Sequence, residues 1–462
     1  MGGNRLARQT TVYMKKPYIC ALLLGLSSCQ QFLTVEPVLQ VDEQQAIMGA
    51  ATAEVALNGL YNRLGADNYY GANFPALSYL SGGDIQWTGS QGAPQEITAR
   101  KLTADNGYVS QAWSGIYQTI LAANYLIESV PTLTDPLLTA DRRGQLRGEA
   151  LAIRALAYFD LVRGWGGVQL VLKPTRSAAD NQGLTRSSTA ETYAQVLADL
   201  TAAEPLLTAT TNRNRVTRKT VWALRARYHL YRQEWALAET YAAKLIDDGA
   251  NYTLAKPYSA FFANNAVATP ESVWELAYGN SARNSHYNWW LPPALGGRRE
   301  WAPNPQLVAL LNNPAVGGNR SALIGQTAPP GNLWYGKLYY RTPTGTDPAY
   351  LIRLAELYLI RAEARGRQGK TDLALADLNA VRSRAGLTAL TSATTPDTDA
   401  LLLAIESERR LEFAFETDRW FDLIRTGRAG AVLGITDPRK YLFPIPTSEL
   451  LADKTLTQNP GY

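Results

Sequence analysis

The chain has 462 residues, 46% hydrophobic and 18% charged, so it can bury a large core, and its length alone permits two or three domains. Its 45 lysines and arginines outnumber its 40 acidic residues by five. Four of these cations and no acidic residue precede Cys29, which leaves 41 cations against 40 acids in residues 29–462. Such a nearly neutral chain lacks the concentrated basic face that nucleic-acid binding needs, so we expect no nucleic-acid partner.

The first thirty residues carry the pattern of a bacterial lipoprotein signal. A basic pair, an apolar run and a small-residue cleavage site follow one another as Lys15-Lys16, Tyr18 to Leu26 and Ser27-Ser28-Cys29. The apolar run is about half of the ~20 residues that cross a bilayer, so a transmembrane helix is a poor alternative and a plain secretory signal is the other. We predict a signal peptide over residues 1–28, beginning at Met1 or Met14, and lipid attachment at Cys29.

Seven segments place apolar or small residues at the three- and four-residue spacing of helices. They are residues 43–64, 109–130, 142–163, 190–207, 217–247, 350–385 and 400–425. Between about 65 and 108, and between about 250 and 347, Gly, Pro, Asn and aromatic residues predominate, which predicts long structured loops with short strands. We expect residues 29–462 to form a single, mostly α-helical body, helical at about 43–64, 109–247 and 350–425 and loop-rich between those parts.

Two of the helical segments repeat one pattern. In each, two alanines stand twelve residues apart on either side of a polar turn: Ala226 and Ala238 flank Arg232-Gln233-Glu234, and Ala362 and Ala374 flank Gly369-Lys370. Small residues at these places let paired helices approach closely, as in tetratricopeptide (TPR) hairpins. A third segment, Ala155 to Trp165, resembles half of such a unit and stops at a glycine-rich C-cap. We therefore predict TPR-like hairpins.

Little in the chain predicts catalysis. The two histidines are His229, expected to pack within a helix, and His286, which lies in an aromatic loop and could touch a ligand. Both cysteines of the chain, Cys20 and Cys29, lie in the signal or at its end, so no ordinary zinc site and no catalytic metal or cofactor is predicted. No HExxH or GxSxG pattern occurs. Calcium ligation stays open, because no ordered ligand spacing is visible.

Paired carboxylates are the remaining route to an enzyme, because glycosidases need only two. Glu271 and Glu275 share a helical spacing, as do Glu408, Glu412 and Glu416. Arginines and aromatic residues interleave the second set, which favours an amphipathic helix with ion pairs against the body of the protein. We predict that the protein is not an enzyme.

Four separated blocks of the chain resemble the SusD/RagB family of outer-membrane nutrient-binding lipoproteins. The most specific is the pair Glu408 to Glu416 and Arg419 to Arg425, which is similar to the signature helix of that family. The others are Phe32-Leu33 with Pro37, Arg154-Ala155 with Tyr158 to Arg163, and Phe443 to Pro446 with Gln458 to Tyr462. The resemblance runs in order from Cys29 to Tyr462.

This resemblance implies a SusD-like fold in which TPR-like hairpins pack against an irregular, loop-rich part. It also implies a lipid-anchored protein at the outer membrane, exposed at the cell surface, that partners a TonB-dependent, SusC-like transporter. The ligand would be an oligosaccharide or polysaccharide, or a peptide, held by aromatic side chains of the irregular part. A surface glycoside hydrolase and a helical-repeat scaffold that binds only proteins are the alternatives.

Aromatic residues in the two loop-rich parts are the candidate ligand contacts. A sugar ring has apolar C–H faces and hydroxyl edges, so a flat indole with nearby amide, carboxylate or guanidinium groups can bind both. The predicted ligand-binding residues are Asn68, Asp84, Trp87, Trp289, Trp290, Arg298, Trp301 and Trp334, with Asn288 and Arg299 as further polar candidates. Neighbouring side chains of an extended segment point to opposite sides, so one of Trp289 and Trp290 is expected to face outward.

Overall fold

The computed structural model of this protein describes Met1 and residues 47–177 and 179–462. The predicted signal peptide and Cys29 therefore lie outside the described residues. Helices make up most of the regular structure. In chain order they are α1 (Ala50–Leu64), α2 (Asn73–Ser81), α3 (Gly92–Thr98), α4 (Gly107–Ser129), α5 (Ala140–Trp165), α6 (Thr189–Ala203), α7 (Arg218–Tyr231), α8 (Trp235–Ile246), α9 (His286–Trp290), α10 (Pro305–Asn312), α11 (Leu354–Arg367), α12 (Thr371–Arg384), α13 (Thr398–Glu412), α14 (Arg419–Arg425), α15 (Ala429–Leu433) and α16 (Thr447–Ala452).

Polar side chains set the starts of the long helices. Asn106 accepts hydrogen bonds from the backbone N–H groups of Tyr108 and Val109 and so caps α4. Ser188 and Glu191 form a reciprocal capping box at the start of α6. These caps satisfy N–H groups that have no partner within the helix, so the local sequence determines where these two helices begin.

The predicted hairpins are present. Helices α7 and α8 pack antiparallel around a turn at residues 232–234, and α11 and α12 do so around a turn at residues 368–370. The two hairpins pack on each other through α8 and α11. The alanines predicted to permit this close approach, Ala226, Ala238, Ala362 and Ala374, are all fully buried.

A third helix pair, α5 with α6, precedes these hairpins. The buried Arg154 of α5 donates two hydrogen bonds, of 2.8 and 2.6 Å, to Asp199 of α6. Helix α5 ends where the glycines predicted it would, because Gly166 has φ of +78°, a conformation that favours glycine. Its N–H still bonds to the carbonyl of Val162 at 3.0 Å.

Short antiparallel strands occur in the loop-rich parts. They are β1 (Ile85–Trp87), β2 (Ser272–Leu276), β3 (Trp301–Pro303), β4 (Ile324–Gln326), β5 (Trp334–Gly336) and β6 (Ala349–Arg353), paired as β1 with β3, β2 with β6 and β4 with β5. The fold is therefore mostly helical, with hairpins against an irregular part that carries short strands, as the sequence predicted.

One part of the first predicted loop is a helix instead. All nine residues of α2 are buried, including Phe74, Leu77 and Tyr79. A helix that is buried on every side need not alternate apolar and polar faces, so the spacing rule could not detect it. None of the helices in the described stretches combines the length and the apolar composition that a bilayer-spanning segment requires.

Candidate functional site

The pairing of β1 with β3 brings two of the candidate tryptophans together. These strands run antiparallel, with Trp87 directly opposite Trp301 and Gln86 opposite Ala302. Directly opposed residues of such a pair project to the same side, so both indoles lie on one face of this two-stranded ribbon. Two distant loops thus build one aromatic cluster.

Helix α9 adds two more indoles to that cluster. The ring of Trp289 stacks on that of Trp301, with centroids 5.3 Å apart and planes inclined by 22°. The ring of Trp290 meets Trp301 edge to face at 5.5 Å and also packs against Tyr79 and Phe415. The four indoles predicted to contact ligand in this region are therefore neighbours in the structure.

Only two of these four indoles are accessible. The side chains of Trp290 and Trp301 are 1% and 0% exposed, whereas Trp87 and Trp289 are partly exposed. Trp290 and Trp301 thus offer no surface to a ligand, and the expectation that they contact one is wrong for this conformation. Trp301 supports Trp289 through ring stacking, and Trp290 packs against Trp301.

Trp87, Trp289 and Arg298 form what we call the indole surface. The ring centroids of Trp87 and Trp289 are 6.4 Å apart. The guanidinium carbon of Arg298 lies 5.1 Å from the Trp289 centroid, over the ring. The backbone N–H of Arg298 bonds to the carbonyl of Asn288 at 2.6 Å, which holds this loop against α9. The arrangement supplies flat apolar area and hydrogen-bond donors side by side.

Trp334 lies in a neighbouring cleft rather than on the indole surface. This partly exposed residue begins β5, and its carbonyl accepts a 2.8 Å hydrogen bond from Nε of Arg299. The cleft has a volume of about 380 Å³ and is largely apolar, lined by Val308, Leu333 and Trp334 with Gln86, Arg299 and Asn332 at its polar edge. Trp334 is therefore not part of the indole surface.

Asp84 is not available to a ligand. Its carboxylate is almost fully buried and accepts hydrogen bonds from Arg410, two of them 2.9 and 3.1 Å from Nε. Nε of Arg419 is 3.5 Å away. Asp84 therefore ties the start of β1 to the signature helix, and its predicted contact with a sugar hydroxyl is corrected to a structural ion pair.

Asn68 lies apart from the indoles. It belongs to a single π-helical turn, Asp67–Gly71, and its side-chain oxygen accepts a 3.4 Å hydrogen bond from Asn73. It also packs against Gly115 of α4, where a β-carbon would be only 2.8 Å from the Cβ of Asn68. Among the described residues its contacts are with Asn73 and Gly115 rather than with Trp87 or Trp289, so the structure does not bring it into the same site.

The histidines are structural. Nε2 of His286 is 3.1 Å from the carbonyl of Tyr70, and its ring packs against Tyr339 and Trp301. Burial lowers the pKa of His286 to about 4, so the ring is neutral at physiological pH. His229 is buried in α7 as expected and pairs with Glu234.

Four of the five carboxylates that raised the question of hydrolysis lie in a buried ion-pair network, and Glu275 does not. The side chains of the network are at most 8% exposed. The pairs are Arg320 with Glu408 and Glu412, Arg353 with Glu271, Glu412 and Glu416, and Arg384 with Glu271 and Glu412. Glu275 belongs to strand β2 and Glu271 directly precedes it, so the helical spacing inferred for them is wrong.

Two side chains of the site were missed by the sequence reasoning. Glu300 pairs with Arg298 and adjoins Trp87. Tyr108 lies near both charged groups. Burial and the charge of Glu300 raise the pKa of Tyr108 to about 12, and the charge of Arg298 opposes that shift. Glu300 stands in the sequence between the candidates Arg298 and Trp301, and this position could have indicated that it belongs to the site. Within the described part of the chain, no group of three or more His, Cys, Asp or Glu side chains is placed to hold a metal ion.

Comparison with known proteins identifies relatives across the whole body. The family described as "Starch-binding associating with outer membrane" matches residues 32–230, and the "SusD family" matches residues 335–435. SusD-like protein P38 of Formosa agariphila is 28% identical over 96% of this chain and 98% of its own.

Solved structures share the fold. A SusD superfamily protein from Bacteroides vulgatus superposes with a TM-score of 0.80 at 19% identity, covering 89% of this chain and 99% of its own. A laminarin-binding SusD-like protein superposes with a TM-score of 0.78 at 25% identity, covering 90% of this chain and all of the other. The resemblance seen in the signature helix is thus confirmed along the body, and the chain belongs to the SusD/RagB family.

Proposed function

We propose that this protein binds a glycan on the indole surface and delivers it to a TonB-dependent, SusC-like outer-membrane transporter. The observation that carries the proposal is the pair of partly exposed indoles, 6.4 Å apart, with a guanidinium over one of them. The description of one matching family as starch-binding, and the laminarin-binding relative of the same fold, support a carbohydrate as the ligand.

The geometry suits capture followed by release. The indoles supply apolar area for the C–H faces of sugar rings, and Arg298 supplies donors for hydroxyl oxygens. The surface is shallow and open, so we expect dissociation constants from micromolar to millimolar, roughly −8 to −4 kcal/mol. Weak binding favours handover, because a very tight complex would dissociate too slowly.

We propose binding without hydrolysis. Glu271, Glu408, Glu412 and Glu416 pair with arginines inside the protein, Glu275 is buried in β2, and a glycosidase needs one acid and one base facing the substrate. We also propose that Cys29 carries the lipid anchor, on the strength of the lipoprotein signal that precedes it.

The double variant Trp87→Ala, Trp289→Ala tests the site. It removes both accessible rings, and we expect at least about tenfold weaker binding, which corresponds to ~1.4 kcal/mol. Isothermal titration with maltohexaose and laminarihexaose, using protein that lacks residues 1–29, measures the effect. The far-UV circular dichroism should be unchanged, because these side chains lie at the edge of the core.

Trp235→Ala is the matched control. Trp235 is also partly exposed and also has an arginine over its ring, since Arg367 lies 5.6 Å from its centroid. It stands at the start of α8, in a TPR-like hairpin. Equal affinity in the double variant and the wild type would place the ligand elsewhere on the protein.

A further inference from the structure

The indole surface carries one cation and one anion that neutralise each other. Arg298 is 45% exposed and Glu300 only 13% exposed. Nε and Nη2 of Arg298 lie 3.0 and 2.5 Å from the same carboxylate oxygen, Oε1 of Glu300. The guanidinium lies over the Trp289 ring, with its carbon 5.1 Å from the ring centroid. A ligand that approaches Trp289 therefore meets a charge that is already compensated.

Glu300 has a second oxygen with no partner. Its Oε2 is buried and makes no hydrogen bond among the described residues, and Nε1 of Trp87 is in the same state. Gly89 lies against both side chains: a β-carbon there would be 3.0 Å from Cδ of Glu300 and closer still to the Trp87 ring. Both atoms are therefore covered by the protein, and Glu300 acts on a ligand through its charge rather than through a hydrogen bond to Oε2.

The two other charged residues considered as ligand contacts, Arg299 and Asp84, are engaged elsewhere. Arg299 follows Arg298, but its Nε donates to the carbonyl of Trp334 and its side chain lines the separate cleft. Asp84 is paired with Arg410 beneath β1. The electrostatic character of the indole surface therefore depends on the ion pair between Arg298 and Glu300.

We propose that Glu300 makes this site selective for neutral glycans by cancelling the charge of Arg298. The inference rests on the proposed function of the indole surface and goes beyond it by naming the ligand class. An uncompensated guanidinium beside an aromatic ring would attract the carboxylates of uronic acid polymers, since charge-assisted pairs with arginine are strong. Glu300 removes that attraction and repels such carboxylates.

Glu300→Gln tests the proposal, because the amide preserves shape and acceptor while removing the charge. The neutral probes are laminarihexaose and maltohexaose, and the acidic probes are hexagalacturonate and hexamannuronate. We expect the wild type to bind at least one neutral probe and to bind both acidic probes more weakly. In Glu300→Gln the affinity for the acidic probes should rise about tenfold at low salt and fall again at 1 M salt, where charges are screened within ~3 Å.

Glu128→Gln is the matched control. Glu128 pairs with Arg176 on the surface, both side chains being 42% exposed, so the variant makes the same change in net charge. Glu128 lies twenty residues along α4 from Tyr108, or about 30 Å at 1.5 Å per residue. Its affinities should equal those of the wild type. The double variant Arg298→Gln, Glu300→Gln should restore the wild-type preference for neutral probes.

Two results would overturn the inference: a wild type that prefers the acidic probes, or an acidic-probe affinity that rises equally in Glu300→Gln and Glu128→Gln. Failure of the proposed function is a different result. If the proposed function is wrong, the double variant Trp87→Ala, Trp289→Ala binds every probe as the wild type does. If only the role of Glu300 is wrong, that double variant still binds more weakly than the wild type.

Discussion

At the scale of single residues, arginine supplies much of the polarity inside this protein. Arg409 is 4% exposed, its Nε donates a 2.7 Å hydrogen bond to Asp422, and its guanidinium lies 5.2 Å from the centroid of Phe413. Arg425 binds the other oxygen of Asp422 at 2.8 Å. Arg425 also donates a 2.7 Å hydrogen bond to Glu363 of α11, so the prediction that the charges of the signature helix pair against the body of the protein is confirmed.

Arg409→Ala should therefore lower stability and leave glycan binding unchanged. Removing one partner of a buried ion pair typically costs about 3 kcal/mol, because the remaining charge loses its compensation. Thermal and urea unfolding measure the loss. Arg439→Ala is the control, since Arg439 pairs with Asp437 at the surface, and it should melt like the wild type. An unchanged melting temperature for Arg409→Ala would reverse the assignment.

Trp289 and Trp290 are adjacent in the chain, but the local sequence does not determine which of them is buried. Trp289 and Trp290 were expected in an extended segment, but they end the short helix α9. Trp289 still faces outward and Trp290 inward, because successive side chains of a helix point in directions about 100° apart. Which one is buried follows from Tyr79 and Phe415, residues distant in the chain.

At the scale of elements, the buried ion-pair network joins five parts of the chain. Glu271 stands before β2, Arg353 ends β6, Arg384 ends α12 and Arg320 lies in the 3₁₀ turn Gly318–Leu323. The network links these four positions to the glutamates of the signature helix α13 and the residues after it, which are Glu408, Glu412 and Glu416. Burial opposes ionisation of Glu412, but Arg384, Arg320 and Arg353 outweigh it and lower its pKa to about 2. Burial raises the pKa of Glu416 to about 7, although Arg353 opposes the shift.

Glu416 should make stability depend on pH between about 4.5 and 7. Its pKa is higher in the folded than in the unfolded state, so the folded protein binds more protons there and its stability falls as pH rises. At 1.36 kcal/mol per unit, the full effect is about 3 kcal/mol. Glu416→Gln cannot titrate, so urea unfolding from pH 4.5 to 7.5 should show a shallower decline than in the wild type. Parallel curves would contradict the assignment.

Glu412 makes stability change with pH in the opposite direction and over a lower pH range. Its lowered pKa contributes stability that is present above about pH 4.5 and is lost as pH falls toward 2. The contribution of these two carboxylates to stability is therefore greatest at weakly acidic pH and falls on either side of it. Both carboxylates are held by Arg353.

At the scale of the whole molecule, we propose a tethered body that captures ligand outside the cell. Cys29→Ala should abolish acyl labelling and release the protein from membranes, because more than one acyl chain is needed for stable anchoring and each buried methylene contributes about 0.8 kcal/mol. Labelling with an alkynyl fatty acid and membrane fractionation measure both effects. Retention equal to that of the wild type would refute the anchor.

The tethered wild type should also co-purify with a TonB-dependent transporter from detergent-solubilised membranes. A lipid anchor keeps both partners in one plane, so an interface of modest affinity suffices for association. Absence of any such transporter from the purified material would contradict the proposed delivery.

The helical half of the fold could be read from the sequence because its signals are local. Alanine spacing, polar turns and caps act within about fifteen residues, so they predicted the α7–α8 and α11–α12 hairpins and their turns. The same local rules missed α2, which is buried on all sides and therefore shows no periodicity. The residues of the indole surface were predicted by type, since indoles beside donors suit sugars wherever they are exposed.

Their exposure was decided by tertiary structure alone. Trp87 meets Trp289 and Glu300 only because β1 pairs with β3, more than 200 residues away, and Asp84 is occupied only because Arg410 lies against it. Burial is a property of the packed chain, not of a residue type, so Trp290 and Trp301 became core while Trp289 remained accessible. The sequence by itself determined the family, the hairpins and the supply of aromatic residues, and the packing of distant loops selected which of them a ligand can reach.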